Sequence, residues 1–253
     1  MKTKCLFLVS IFVLLLPAAA RDTPQSLRFA DGRRYVGEVK AGKMHGEGVL
    51  TYPDGSVYKG AFEDGMRQGK GLHTFKDGKS TYRGEFLRDK PEGQGVIDMK
   101  GIFAIKGAFK NGVAHGQGFK TYPSGDTFEG TFRGNLHIAG TYTWANGDVY
   151  TGPHDGHLPH GKGRRRFANG DAYTGEFRRG EIHGEGQYIY AGGGEYEGAF
   201  KRGMMEGQGT MRFADGSTYK GGWVADQMHG EGVYRSKTGR VLKGTFREGA
   251  FVE

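Results

Sequence analysis

Apolar and polar residues alternate along this chain in short runs punctuated by glycine. In the stretch that begins at Tyr196, the first, third and fifth positions (Tyr196, Gly198, Phe200) fall on one side of an extended segment and Glu197 and Ala199 on the other, because successive strand side chains point to opposite faces. The next stretch keeps the same period. Gly207, Gly209, Met211 and Phe213 share one face, and Gln208, Thr210 and Arg212 share the other. Two strands are predicted, joined by a turn. Turn dipeptides occur within such units, at Asp64-Gly65 and Asn111-Gly112, and between them, at Asp54-Gly55, Asp77-Gly78, Asn146-Gly147, Asn169-Gly170 and Asp215-Gly216. Glycine there supplies the positive φ that tight hairpin turns require. After residue 20 no stretch carries helical apolar periodicity.

The pattern repeats. Units begin at Tyr35, Tyr58, Tyr82, Ile105, Phe128, Tyr150, Tyr173, Tyr196, Tyr219 and Leu242, 23 residues apart except for one interval of 24 and one of 22. A half-unit at 27–34 precedes them, and the last unit, 242–253, is partial. A fixed period of this length marks a repeat architecture. The predicted fold is all-β, an elongated single-layer antiparallel meander of stacked β-hairpins in which each unit draws its stability from its neighbours. At two strands per unit and about 4.8 Å per strand, ten units would extend roughly 90 Å before twist and curvature shorten the span.

Glycine recurs at the third position of every unit: Gly37, Gly60, Gly84, Gly107, Gly130, Gly152, Gly175, Gly198, Gly221 and Gly244. A glycine inside a strand costs about 0.5–1 kcal/mol relative to alanine. The compensation expected is room, since without a Cβ the rings of the first and fifth positions can lie against the backbone. Burying one aromatic side chain contributes about 1.5–3 kcal/mol, and a well-placed ring pair adds about 0.5–1.5.

The N-terminus differs from the rest. Lys2 and Lys4 precede an apolar run from Cys5 to Leu16, followed by Pro17-Ala18-Ala19-Ala20 and then Arg21. This predicts a secretory signal peptide over 1–20, cleaved near Ala20, with a short linker at 21–26 and the array over 27–253. The run is too short for the ~20 residues of a membrane-spanning helix, and Cys5 lies before the run rather than at a lipoprotein cleavage point. Cleavage would remove the only cysteine, leaving no disulfide and no thiol chemistry. The expected location is periplasmic or secreted. The formal charge of +8 would fall to +6 with the loss of Lys2 and Lys4, a modest excess that favours acidic partners without naming one.

Units such as Tyr58-Lys-Gly-Ala-Phe62 with Gly69-Lys-Gly71, and Tyr173-Thr-Gly-Glu-Phe177 with Gly184-Glu-Gly186, resemble MORN repeats. The resemblance spans nearly all of 27–253. It implies a row of stacked β-hairpins forming a twisted, grooved sheet with an aromatic-lined face, and it implies recognition of membranes or of other proteins. Three units depart from the pattern. The third has Met99 where a ring belongs and Gly101 shifted by one, and the fifth lacks one residue and carries Ile138 and Ala139 near its glycine pair. The sixth departs most, with Pro153 and His154 in place of the usual strand residue and ring, and with Lys162, Arg164, Arg165 and Arg166 around Gly163.

Candidate chemistry concentrates there. Lys162, Arg164, Arg165 and Arg166, with Arg178 and Arg179 one unit on, could hold phosphate or a carboxylate-rich glycan through charge-assisted bonds. Solubility and edge protection are the plainer reading of these charges. Alternation places Arg164 and Arg166 on one face and Arg165 on the other. His154, His157 and His160 could surround one turn as metal ligands; the competing reading is an irregular hairpin with solvated histidines. His45, His115, His137, His160, His183 and His229 precede the second-strand glycine pairs, and the expectation is a polar ladder along the turns. Equivalent positions about 9.6 Å apart cannot share one ion. The segment Gly156 to Gly163 mimics a phosphate-binding loop, but Gly163 follows Lys162 where Ser or Thr belongs, and no helix is expected. Glu38, Glu85 and Glu176 recur at an outward position and read as a solvated face. No residue is nominated as acid, base or nucleophile, and no cofactor is implied.

The function expected is a non-catalytic scaffold binding a partner protein through its ring-lined face or through a terminal strand edge, which could also join two copies. The alternative is binding of an anionic membrane surface or acidic glycan through the sixth and seventh units. Nucleic acid is not expected, because the basic residues form no concentrated stripe.

Overall fold

The structure, a computed structural model, describes residues 24–252. The expected leader at 1–20 and Arg21 to Thr23 of the linker lie outside the described residues. Among those described, the regular structure is β throughout, with strands running from Gln25–Arg28 to Ala250–Phe251, and no helix is long and apolar enough to cross a membrane. Each strand pairs antiparallel with its neighbour in sequence, as Arg34–Lys40 does with Lys43–Thr51 and that strand with Val57–Glu63. The result is one open antiparallel meander. One detour interrupts it: Val149–Gly156 pairs first with the two-residue strand Leu158–Pro159 and again, through Val149 to Thr151, with Arg164 to Arg166.

The two glycines of each second-strand pair serve different ends. In the first full unit Gly37 faces Gly48, but Glu38 faces His45, so Gly46 and Glu47 form a two-residue bulge. Gly46 adopts φ +55, a left-handed conformation that a Cβ disfavours. The Glu38 carboxylate lies across it and accepts the Glu47 amide at 3.2 Å. This bulge is why a strict period of two does not describe the second strand.

Gly37 and Gly48 are required by close approach instead. A Cβ on Gly37 would lie 2.6 Å from the Gly48 Cα, and one on Gly48 would collide with the ring of Tyr35. That ring crosses the glycine pair and its hydroxyl donates to the Glu38 carbonyl at 2.7 Å, with the His45 carbonyl 2.9 Å away. The same hydroxyl bond to the carbonyl three residues on recurs at Tyr58, Tyr82, Tyr150, Tyr173, Tyr196 and Tyr219. The room expected of the third-position glycine is thus used by the first-position ring. The fifth-position ring packs edge-on against tyrosine: Phe62 meets Tyr35 at 5.0 Å and Tyr58 at 5.1 Å between centroids.

These edge-to-face contacts form a ladder on one face of the sheet, which serves as the core. It falls into two clusters, one from Tyr35 to Phe132 and one from Tyr150 to Phe246.

Candidate functional site

The tyrosine pattern lapses at Ile105 and Phe128, and the two clusters meet between Phe128 and Tyr150. His137 replaces solvent-facing polarity with complete burial there, 0% exposed, and its ring stacks on Phe128 at 3.7 Å with a 2° interplanar angle. His154 occupies the fifth-position ring site of the sixth unit. It lies edge-on to Phe128 at 5.2 Å and to Tyr150 at 5.1 Å, bridging the two clusters. His157 approaches the His137 ring at 4.5 Å. Burial pushes His137 down to about 3, with positive charge on His157, Lys120 and His154 adding to the effect. Burial also lowers His154 and His157.

This corrects two expectations. His137 leaves the polar turn ladder because the fifth unit carries a phenylalanine, Phe128, against which a flat neutral ring can stack. His154 is not solvated, because it fills a ring site. His160 stands exposed, apart from the buried His154, and among the described residues no group of three His, Cys, Asp or Glu side chains is placed to hold a metal ion.

The basic residues of the sixth and seventh units separate into four environments. Arg164 and Arg166 lie on the face away from the core and line a recess of about 170 Å³ with Val149 and Thr151. Lys162 borders another recess, of about 320 Å³, beside the carboxylates of Glu185 and Glu197. Arg165 turns to the ring face, as alternation predicts. Its guanidinium pairs with Asp148 at 2.6 Å and sits over the rings of Trp144 and Phe167 at 4.7 and 4.6 Å. Arg178 and Arg179 join Lys201 and Arg202 from the next turn around a recess of about 380 Å³, which Glu181 and His183 complete. The pairing of two adjacent doubly basic turns, Arg178-Arg179 and Lys201-Arg202, was legible in the repeat but becomes a cluster only once the hairpins stack.

A second row of rings runs beside the core ladder. Tyr52, Phe75, Phe103, Tyr122, Trp144, Phe167, Tyr190 and Phe213 stand at successive inter-unit turns and are all half-buried. Carboxylates brace this row. Asp126 accepts the Tyr142 hydroxyl at 2.9 Å and the Ala145 amide at 2.8 Å; Asp171 accepts the Tyr188 hydroxyl and the Ala191 amide, both at 2.8 Å. Asp148 holds Arg165 and the Ala168 amide in the same way. The Ala145 and Ala191 amides, first of all, hold Asp126 and Asp171 below the usual carboxylate range. For Asp148 burial acts upward, but Arg165 and the Ala168 amide outweigh it and the carboxyl is lowered. Nothing in the reading of the sequence singled out these aspartates. The signal available was an acid just before three successive units, with Tyr, Arg and Tyr 16 or 17 residues later.

At one end of the row a cleft of about 550 Å³ opens on the ring face, walled chiefly by Tyr82, Phe86, Ile97, Met99, Phe103 and Phe109, with Arg67 and His73 contributing the polar edge. Arg67 is engaged by Asp89 at 3.2 Å and lies over the Tyr58 and Phe86 rings.

The MORN repeat, as a family pattern, matches nine segments: 35–57, 58–80, 82–98, 106–127, 128–149, 156–172, 173–195, 196–218 and 219–239. Pro153 to Asp155 fall between matched segments. Among solved structures, the TCP10 domain of Danio rerio CPAP in complex with a STIL peptide is similar at 12% identity over 88% of this chain and 98% of that one, with a TM-score of 0.44. The TCP domain of Drosophila melanogaster SAS-4 in complex with a proline-rich motif of Ana2 is similar at 15% identity over 91% and 95%, with a TM-score of 0.32. No curated protein sequence matches the chain.

Proposed function

Given that this chain belongs to the MORN repeat family, whose repeats mediate protein or membrane interactions, we propose that it is a non-catalytic scaffold of the cell envelope or the extracellular space, docking an extended segment of a partner protein along its ring face. The observation that carries this reading is the row of half-buried rings at successive turns from Tyr52 to Phe213. Aromatic side chains offer large contact area at small entropic cost and dominate binding hot spots. The row is longer than any small ligand needs. The N-terminal pattern of Lys2, Lys4, the run to Leu16 and Ala18-Ala19-Ala20 supports export.

Photo-crosslinking in the native host tests it. A benzoylphenylalanine at Phe75, Trp144 or Phe213 should yield a discrete protein adduct, and one at Lys59, Thr151 or Lys220 on the opposite face should not. Equal adducts from both faces, or none from the ring face, would reject the reading.

A second reading, binding of an anionic membrane surface or acidic glycan, draws on the recess formed by Arg178, Arg179, Lys201 and Arg202. Clustered guanidinium groups suit phosphate, sulfate or carboxylate. Co-sedimentation with vesicles containing acidic lipid should fall when these four residues are changed to serine, and unchanged binding would remove them from the mechanism.

A further inference from the structure

Where hairpins stack, the first turn residue of one unit directs its amide toward the second strand of the unit before. At three such junctions a side-chain oxygen accepts it: Gln68 from Arg88 at 3.2 Å, Glu92 from Asn111 at 2.9 Å and Glu206 from Ala225 at 3.2 Å. Two of these acceptors are carboxylates, so the place accommodates an oxyanion. Between the seventh and eighth units the equivalent residue is His183, and the Arg202 amide meets no acceptor among the described residues. Histidine stands at this position in other units too. What sets this junction apart is its charge.

Adjacent basic residues occupy both flanking turns, Arg178-Arg179 and Lys201-Arg202, and all four line the recess of about 380 Å³ together with Glu181 and His183. The three arginines make no ion pair among the described residues, and Lys201 reaches Glu206 only at 4.0 Å. Glu181 is the one carboxylate in the recess, against four cations. Arg179 and Arg202 hold φ +53 and +54, a left-handed backbone that Asn, Asp or Gly adopts at less cost. Asn111 fills the corresponding place in the fourth unit at φ +51. Two long cations are thus carried where turn chemistry favours short residues.

We infer that this recess binds a phosphate monoester. One of its oxygens takes, against the Arg202 amide, the place that the Glu206 carboxylate has one unit on, and the others meet the guanidinium groups and the Lys201 ammonium. A monoester presents three acceptor oxygens and close to two negative charges at neutral pH, and guanidinium pairs with such oxygens bidentately. A carboxylate or a phosphate diester offers two free oxygens and a single charge. The inference rests on the reading that acidic ligands bind at this recess, and names the group they present.

Calorimetric titration with glycerol 3-phosphate, and with dimethyl phosphate as the diester, tests it. One glycerol 3-phosphate should bind, at least about tenfold more tightly than dimethyl phosphate. Arg202→Gly relieves the left-handed turn, so it should melt no lower than the wild type while losing the preference. His183→Glu keeps all four basic residues and sets a carboxylate where Glu206 has one; it should cap the Arg202 amide and abolish binding. Co-sedimentation with vesicles of phosphatidic acid or phosphatidylglycerol, matched in surface charge, separates the two sources of the group. A preference for phosphatidic acid that Arg202→Gly removes identifies a lipid headgroup, and glycerol 3-phosphate binding without that preference identifies a soluble ester. Equal affinity for the two soluble esters overturns the proposal, as does binding that survives in His183→Glu. If vesicle binding still depends on the four basic residues in that case, the broader anionic reading stands alone; if neither ester nor either vesicle binds, both readings fall.

Discussion

The ring of Tyr35 occupies the space in which Gly48 would carry a Cβ. A tyrosine and the glycine of the neighbouring strand are thereby fitted to one another, and the tyrosine hydroxyl completes the arrangement by bonding the Glu38 carbonyl. Gly48→Ala should therefore displace the ring and destabilise the array by about 1–3 kcal/mol, the usual cost of overpacking. Urea denaturation followed by tyrosine fluorescence would measure it. An unchanged midpoint would show that the ring is free to move aside.

The hydroxyl can be weighed separately. Tyr196→Phe keeps the ring edge-on to Phe200 and Trp223 and removes only the 3.1 Å bond to the Ala199 carbonyl. A loss of about 0.5–1.5 kcal/mol is expected in the same denaturation experiment. A loss as large as that of a ring deletion would mean that the hydroxyl positions the ring.

Acid should weaken the middle of the array first. His137 titrates near 6.5 when unfolded and at about 3 when folded, so between these values the unfolded chain binds more protons. Stability from this group is fully present above about 6.5 and is lost as the pH falls toward 3. His154 and His157 are lowered in the same direction and add to the trend. The melting temperature should drop between pH 7.5 and pH 5, and His137→Phe should drop less. Equal drops would assign the acid sensitivity to other groups.

Removing Asp148 should cost more than removing its partner. Asp148→Ala strands a guanidinium held between Trp144 and Phe167, whereas Arg165→Met leaves an apolar chain between the same rings. The first should destabilise by about 1–3 kcal/mol and the second by less. Thermal melts of the two single variants and the double variant decide the order.

Much of the architecture was legible in the residues because each unit states the same solution. Two strands, a turn and the third-position glycine recur at a fixed interval, and the antiparallel meander follows from them. The bulge at Gly46 and Glu47 was hidden, since the glycine pair reads equally well as alternation without it. The candidate site was less legible for a different reason. The carboxylates of Asp126, Asp148 and Asp171 meet Tyr142, Arg165 and Tyr188, 16 or 17 residues away, only when successive hairpins stack. His137 was misjudged because its neighbours in sequence, Leu136 and Ile138, give no sign that Phe128 lies flat against its ring.

The sequential pairing of the strands also has a mechanical consequence. Among the described residues every strand is bonded to its immediate neighbours, with the one short detour at Leu158–Pro159, and no long-range clamp joins distant units, so tension between the two ends of the array loads the hydrogen-bond ladders one at a time. Such a molecule yields by peeling, hairpin after hairpin, and refolds against whichever unit is still seated. Anchored at both ends, it would behave as an extensible tether with many small steps, and the histidine-filled junction at Phe128 and His154 would be the step most sensitive to acid.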